Sequence, residues 1–177
     1  MADRVVLIGF MGAGKSTVGP ILASRLHYDW VDTDAVIEAR AGAPVARIFS
    51  ERGEPAFREL EAGVLADLAQ RTGIVIATGG GAPAQARNRQ FFTRGARVFH
   101  LRVSLESVRE RTGADAGRPL LSRDDAELRR LLEERARIYE ALGAPVETDG
   151  RGPAAVADRI MALLERPTAN PDPADSG

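Results

Sequence analysis

The stretch "VVLIGFMGAGKST", residues 5–17, limits the possible folds more than any other part of the chain. A short apolar run ends in Gly9, and Gly9 to Ser16 fits G-x-x-x-x-G-K-[ST]. That pattern works only with a buried strand behind it and a helix ahead of it. Both are readable here, as "VVLIG" over 5–9 and a helical period over 15–26. The glycines let the main chain curl so that its N–H groups face a polyphosphate, and the helix N-terminus adds positive potential. Gly12, Ala13, Gly14, Lys15, Ser16 and Thr17 are therefore candidate nucleotide-binding residues. Lys15 would reach the β- and γ-phosphates of ATP, and the Ser16 hydroxyl would ligate Mg²⁺. Lys15 is also the only lysine among 24 Lys and Arg residues, which excludes a guanine-reading N-K-x-D motif. Pro20 falls in the second turn of the following helix and predicts a local loosening there, without loss of the loop.

Further strand-length runs are "YDWVD" (28–32), "IVIA" (74–77), "RVFHLRV" (97–103) and "PVET" (145–148). Helix-period segments lie between them, over 34–41, 54–71, 104–111, 124–142 and 153–166. Alternating strands and helices predict an α/β domain with a parallel sheet covered on both faces, spanning residues 1–166. Residues 112–123, "TGADAGRPLLSR", have little period yet keep apolar residues, which suits a mobile lid over a site. The proline-rich, polar segment 167–177 reads as a disordered tail.

With 177 residues and 24 basic against 25 acidic side chains, the chain shows no broad field for nucleic acid or an anionic membrane. It has no cysteine, so neither a disulfide nor a thiolate metal site is available. No apolar run is long enough to span a bilayer, and "MADRVVLIGF" carries no secretory pattern, so a cytoplasmic protein is expected. His27 and His100 stand far apart with no paired spacing and do not suggest a metal site. Trp30, Phe91 and Phe92 read as core, and 124–137 as a charged helix face.

The strand "IVIA" ends in "TGGGAPA" without the carboxylate that often holds magnesium in ATP-hydrolysing folds. Carboxylates stand instead in "WVDTDA", where Asp32 and Asp34 flank Thr33 at the end of the second strand of a βαβ unit. In extended chain the two side chains would point the same way, one toward a magnesium water and one toward an acceptor hydroxyl. The competing reading is a helix N-cap at Asp32 or Asp34, and one residue can serve both ends. Gly79, Gly80 and Gly81 would then form a floor of bare backbone with N–H donors for a small polar substrate.

The motifs "GFMGAGKST", "DTD", "GEPAFRELE", "ATGGGA", "GRPLL" and "RARIY" occur in the order and at the separations of the shikimate kinases, which the chain resembles from residue 4 to about 166. The resemblance implies a P-loop NTPase-type three-layer sandwich with a five-stranded parallel sheet of order 2-3-1-4-5. It implies transfer of the γ-phosphoryl of ATP to the 3-hydroxyl of shikimate, with one Mg²⁺ per ATP, in a monomer. Residue by residue, Asp34 matches the base that binds the acceptor hydroxyl, while Asp32 matches an outer-shell magnesium residue beside Ser16. Arg58 matches a carboxylate-binding arginine, Glu61 the acid that steadies it, and the middle glycine a shikimate contact. Arg118 in "GRPLL" matches a lid arginine that reaches the phosphates. Arg111 matches a residue over adenine, with Arg151 and Pro153 on its other side, while Phe49 and Phe57 match pocket walls. The family reads Arg-x-Pro-Leu-Tyr where this chain has "RARIY", so Arg137 replaces the proline; register with Tyr139 makes Arg135 the second carboxylate-binding arginine. Two other readings stand beside this one: a gluconate kinase-like enzyme, and a nucleotide-binding relic without catalysis. Intact Lys15, Ser16, Asp32 and Asp34 weigh against the relic.

Overall fold

In a computed structural model, residues 4–112 and 124–165 are described. Five strands pair in parallel: β1 (Arg4–Ile8), β2 (Asp29–Asp32), β3 (Ile74–Ala77), β4 (Ala96–Arg102) and β5 (Ala144–Glu147), in the order β2-β3-β1-β4-β5. The helices are α1 (Lys15–Leu26), α2 (Thr33–Ala41), α3 (Val45–Leu68), α4 (Arg89–Thr93), α5 (Leu105–Thr112), α6 (Asp125–Glu140) and α7 (Pro153–Leu164).

All five residues of β1 are buried, and the four apolar ones divide by alternation between two cores. Val5 and Leu7, with Val75, Phe99 and Leu101, face α1 and α7 through Val18, Leu22, Val156 and Ile160. Val6 and Ile8, with Ile74, Ile76 and Val98, face the other side, against Ile37 of α2, Phe57 and Leu65 of α3, and Tyr139 of α6. This is the three-layer arrangement that a parallel sheet requires. A smaller cluster of Phe10, Val108 and Leu128 joins the nucleotide loop to α5 and α6.

Two details differ from the sequence reading. A simple βαβ unit would set the second strand beside the first, but β3 lies between them. Helix α3 begins at Val45, well before residue 54, and is broken at Gly53, where φ is 78° and ψ 169°. Helix α1 runs unbroken from Lys15 to Leu26 through Pro20. It approaches β2 closely because Gly19 has no side chain: a Cβ there would sit 1.9 Å from the Trp30 ring. Among the described residues, no helix is long and apolar enough to cross a membrane.

The chain leaves β1 for β2 on one side and later reaches β4 on the other, and open α/β sheets take their ligands at the carboxyl ends of strands around such a point. The candidate residues gather at that edge.

Candidate active site

The loop after β1 turns into α1 at Gly14, whose left-handed conformation (φ 90°, ψ 15°) suits glycine. Its carbonyl accepts from the N–H groups of Thr17 (3.1 Å) and Val18 (2.8 Å), which closes the first turn. Lys15 Nζ donates to the carbonyls of Gly9 (2.8 Å) and Phe10 (3.0 Å), so the ammonium is held against the loop.

Asp32 ends β2, and its two carboxylate oxygens do different things. Oδ1 accepts from the Asp34 N–H at 3.0 Å as the N-cap of α2, and Oδ2 accepts from the Ser16 hydroxyl at 2.7 Å. Asp32 thus caps α2 with one oxygen and meets Ser16 with the other. Asp34 is not in extended chain as the sequence reading supposed; it lies in the first turn of α2. Thr33 between them is fully buried, and its hydroxyl accepts from the Gly79 N–H at 3.1 Å, tying the start of α2 to the end of β3. That N–H is therefore engaged within the protein and is not an open donor.

Helix α3 brings Arg58 and Glu61 to the same place. Arg58 Nη1 donates to Glu61 Oε2 at 2.9 Å, and Nη2 donates to Glu54 Oε1 at 2.9 Å. The Glu61 side chain is 1 % exposed and that of Arg58 only 12 %, so the pair is largely removed from water. Burial pushes the Glu61 carboxyl above its ordinary range against the pull of Arg58, and Asp34 adds to the rise. Burial alone would lower Arg58, but Glu61 and Glu54 outweigh it and hold the guanidinium above its ordinary range. Phe57 is buried beside Arg58, with the more exposed Phe49 ring 4.5 Å away between centroids.

From α6, Arg135 Nη1 and the Tyr139 hydroxyl both donate to the Gly80 carbonyl, the latter at 2.6 Å. Arg137, two residues along the same helix, is exposed. Arg135 also lies close enough to Glu61 to lower its pKa, so Asp34, Arg58, Glu61 and Arg135 form one charged group around Gly79, Gly80 and Gly81. On the opposite side, Arg111 donates to the Gly12 carbonyl (3.1 Å), the Thr148 hydroxyl (3.0 Å) and the Thr148 carbonyl (2.9 Å). It joins the nucleotide loop to the turn before α7, where the Arg151 N–H donates to Thr148 and Pro153 opens the helix.

Arg118, the rest of the expected lid after Thr112 and the tail 167–177 lie outside the described residues. Sequence reasoning did not single out Thr33, Thr78 or Thr148. Thr33 was in view within "DTD", and Thr78 closes β3 with a buried hydroxyl that has no hydrogen-bond partner among the described residues. Nothing marked Thr148 beyond its place after the last strand. His100 is buried near Tyr139, with ring centroids 5.1 Å apart, and burial, then the positive charge of Arg102, lowers it to about 4.

The site thus sets a phosphate-binding loop with an ammonium beside a floor carrying two guanidiniums and two carboxylates, which suits phosphoryl transfer to a small anionic alcohol. The family model described as shikimate kinase matches residues 11–165. A curated relative named shikimate kinase, from Vibrio parahaemolyticus, is 43 % identical over 170 residues, which are 93 % of this chain and 99 % of that one. The solved structure of shikimate kinase from Acinetobacter baumannii in complex with shikimate matches with a TM-score of 0.88 and 38 % identity, over 93 % of each chain. A gluconokinase from Sinorhizobium meliloti shares only the fold, with a TM-score of 0.57 and 19 % identity over 92 % of this chain and 95 % of that one.

Proposed function

The chain belongs to the shikimate kinase family, and we propose that the residues gathered around Gly79, Gly80 and Gly81 and the Lys15 loop perform that family's reaction. The reaction transfers the γ-phosphoryl of ATP to the 3-hydroxyl of shikimate, giving ADP and shikimate 3-phosphate on the way to chorismate. A gluconate-type acceptor and a catalytically silent relic are not favoured.

The observation that carries the assignment of roles is the convergence of Asp34, Arg58, Glu61 and Arg135 on one glycine floor beside a P-loop. Two forked guanidiniums suit a planar carboxylate, and Glu61 holds Arg58 in place while remaining out of solvent. Asp34 then accepts the proton of the acceptor hydroxyl as that oxygen attacks phosphorus. Lys15 leaves the Gly9 and Phe10 carbonyls for the β- and γ-phosphates, a short move because those carbonyls line the same loop. Arg118 brings a further positive charge to the phosphates, and Arg111, Arg151 and Pro153 border the adenine.

The Ser16 hydroxyl and the Asp32 carboxylate, 2.7 Å apart, are hard oxygen donors of the kind Mg²⁺ takes alongside water and phosphate. Ser16 would ligate the ion directly and Asp32 through water. Held there, Mg²⁺ would supply positive charge to offset the negative charge that develops on the phosphates. In keeping with the family resemblance we assign a monomer, and we place it in the cytoplasm, where ATP is supplied.

A coupled ADP-release assay with shikimate, gluconate, quinate and no acceptor tests the reading; turnover should require shikimate. Asp34→Asn should keep ATP affinity and lower kcat by about a hundredfold or more. Normal turnover by that variant would reduce Asp34 to a helix-start residue and remove the base from the scheme.

A further inference from the structure

Three consecutive glycines follow β3, yet none needs a glycine's backbone. Gly81 has φ −88° and ψ −20°, an ordinary right-handed conformation, and neither Gly79 nor Gly80 has a positive φ. An alanine could adopt the backbone at each. What is missing at two of them is room. A Cβ built on Gly79 lies 2.9 Å from Asp34 Oδ1 and 3.3 Å from Glu61 Oε1. On Gly81 it lies 2.5 Å from Arg58 Nη2, 2.7 Å from Nη1 and 2.9 Å from Cζ. On Gly80 the nearest atom, the Tyr139 hydroxyl oxygen, is 3.4 Å away, close to an ordinary contact.

We propose that Gly79 and Gly81 are positioning residues that act by absence: the first leaves the space occupied by the Asp34 carboxylate, the second the seat of the Arg58 guanidinium. This rests on the roles given above to Asp34 and Arg58. A methyl group at 81 meets the end of a long side chain and not the backbone, so the chain yields by moving Arg58 off Glu61 and stays folded. A methyl at 79 meets a short side chain anchored in the first turn of α2, so the carboxylate shifts relative to the attacking hydroxyl. Adjacent substitutions should therefore damage different kinetic constants.

Gly81→Ala should raise the KM for shikimate about tenfold and leave that for ATP within about twofold, while Gly79→Ala should lower kcat about tenfold or more, since a misplacement of about 1 Å can cost about a hundredfold. The decisive measurement is the double variant. In an Arg58→Ala background, Gly81→Ala should add less than about twofold to the KM, because its effect runs through a side chain no longer there. An undiminished effect in that background would mean that position 81 touches the substrate directly, and would overturn the proposal. A crystal structure of Gly81→Ala tests the same claim without any substrate. The guanidinium should be displaced from Glu61, and an unmoved Arg58 would equally overturn it. Wild-type protein inactive toward shikimate would count against the functional reading alone, since the displacement of Arg58 is measured independently. Unchanged far-ultraviolet dichroism of each variant verifies that the fold is intact.

Discussion

Arg135 and Arg137 are separated by two positions on α6, about 200° around a helix of 3.6 residues per turn, so they cannot serve one site together. Arg135 reaches the Gly80 carbonyl alongside Tyr139, whereas Arg137 is exposed. Arg135→Ala should raise the KM for shikimate strongly, since removing one partner of a desolvated charge pair costs about 2–5 kcal/mol. The same change at Arg137 should shift it by little, and steady-state kinetics at saturating ATP separates the two. A large loss at 137 with none at 135 would mean that substrate engages the other face of the helix. The register with Tyr139 was readable in "RARIY" because i and i+4 share a helical face. The division of labour at Asp32 was not readable, because an N-cap and a partner for Ser16 require the same residue type at the same place, and only two separate oxygen contacts show that it is both. The glycine floor was readable as close approach but not as to what approaches. Its occupants come from α2, α3 and α6, far away in sequence.

Among the elements, the strands were the plainest, since each ends within a residue or so of where the sequence placed it. Strand order came from resemblance alone, because local pattern does not say that β3 passes between β1 and β2. Helix α3 was half hidden. "ERGEP" looks like an interruption, and physically it is one, but helix lies on both sides of it. Gly53 makes the break with φ 78° and ψ 169°, a region essentially restricted to glycine, and Pro55 then opens the second segment where a missing N–H costs little. The first segment contributes Ile48 to the core, and the second carries Phe57, Arg58 and Glu61. Gly53→Ala should therefore lower unfolding stability by about 1–3 kcal/mol, read from the urea midpoint. It should also weaken shikimate more than ATP, because both segments carry residues of the acceptor side, Phe49 on the first and Phe57, Arg58 and Glu61 on the second. Unchanged stability would show that the two segments can merge into one straight helix without disturbing the core.

At the scale of the whole molecule, buried titrating groups decide how stability follows pH, and two of them pull in opposite directions. His100 sits on the sheet face beneath α6, 4 % exposed, and its pKa is lowered from 6.5 to about 4. Below pH 6.5 the unfolded chain takes up a proton that the folded chain resists, so this contribution to stability is full above 6.5 and is lost as pH falls toward 4. A shift of this size corresponds to about 3 kcal/mol across the window. Glu61 works the other way: its folded pKa is raised, so its contribution is present at low pH and fades as pH rises through the folded value. The wild-type profile is therefore a difference of two opposed limbs, and neither can be read from it directly. Substituting His100→Asn isolates one limb, because any constant packing cost of the change cancels when slopes are compared. Urea unfolding at a series of pH values between 4 and 7 should show wild type losing stability more steeply than His100→Asn, by about 3 kcal/mol in total. Parallel profiles would mean that His100 accepts its proton in the folded state, through local opening beneath α6 that lets water reach the imidazole.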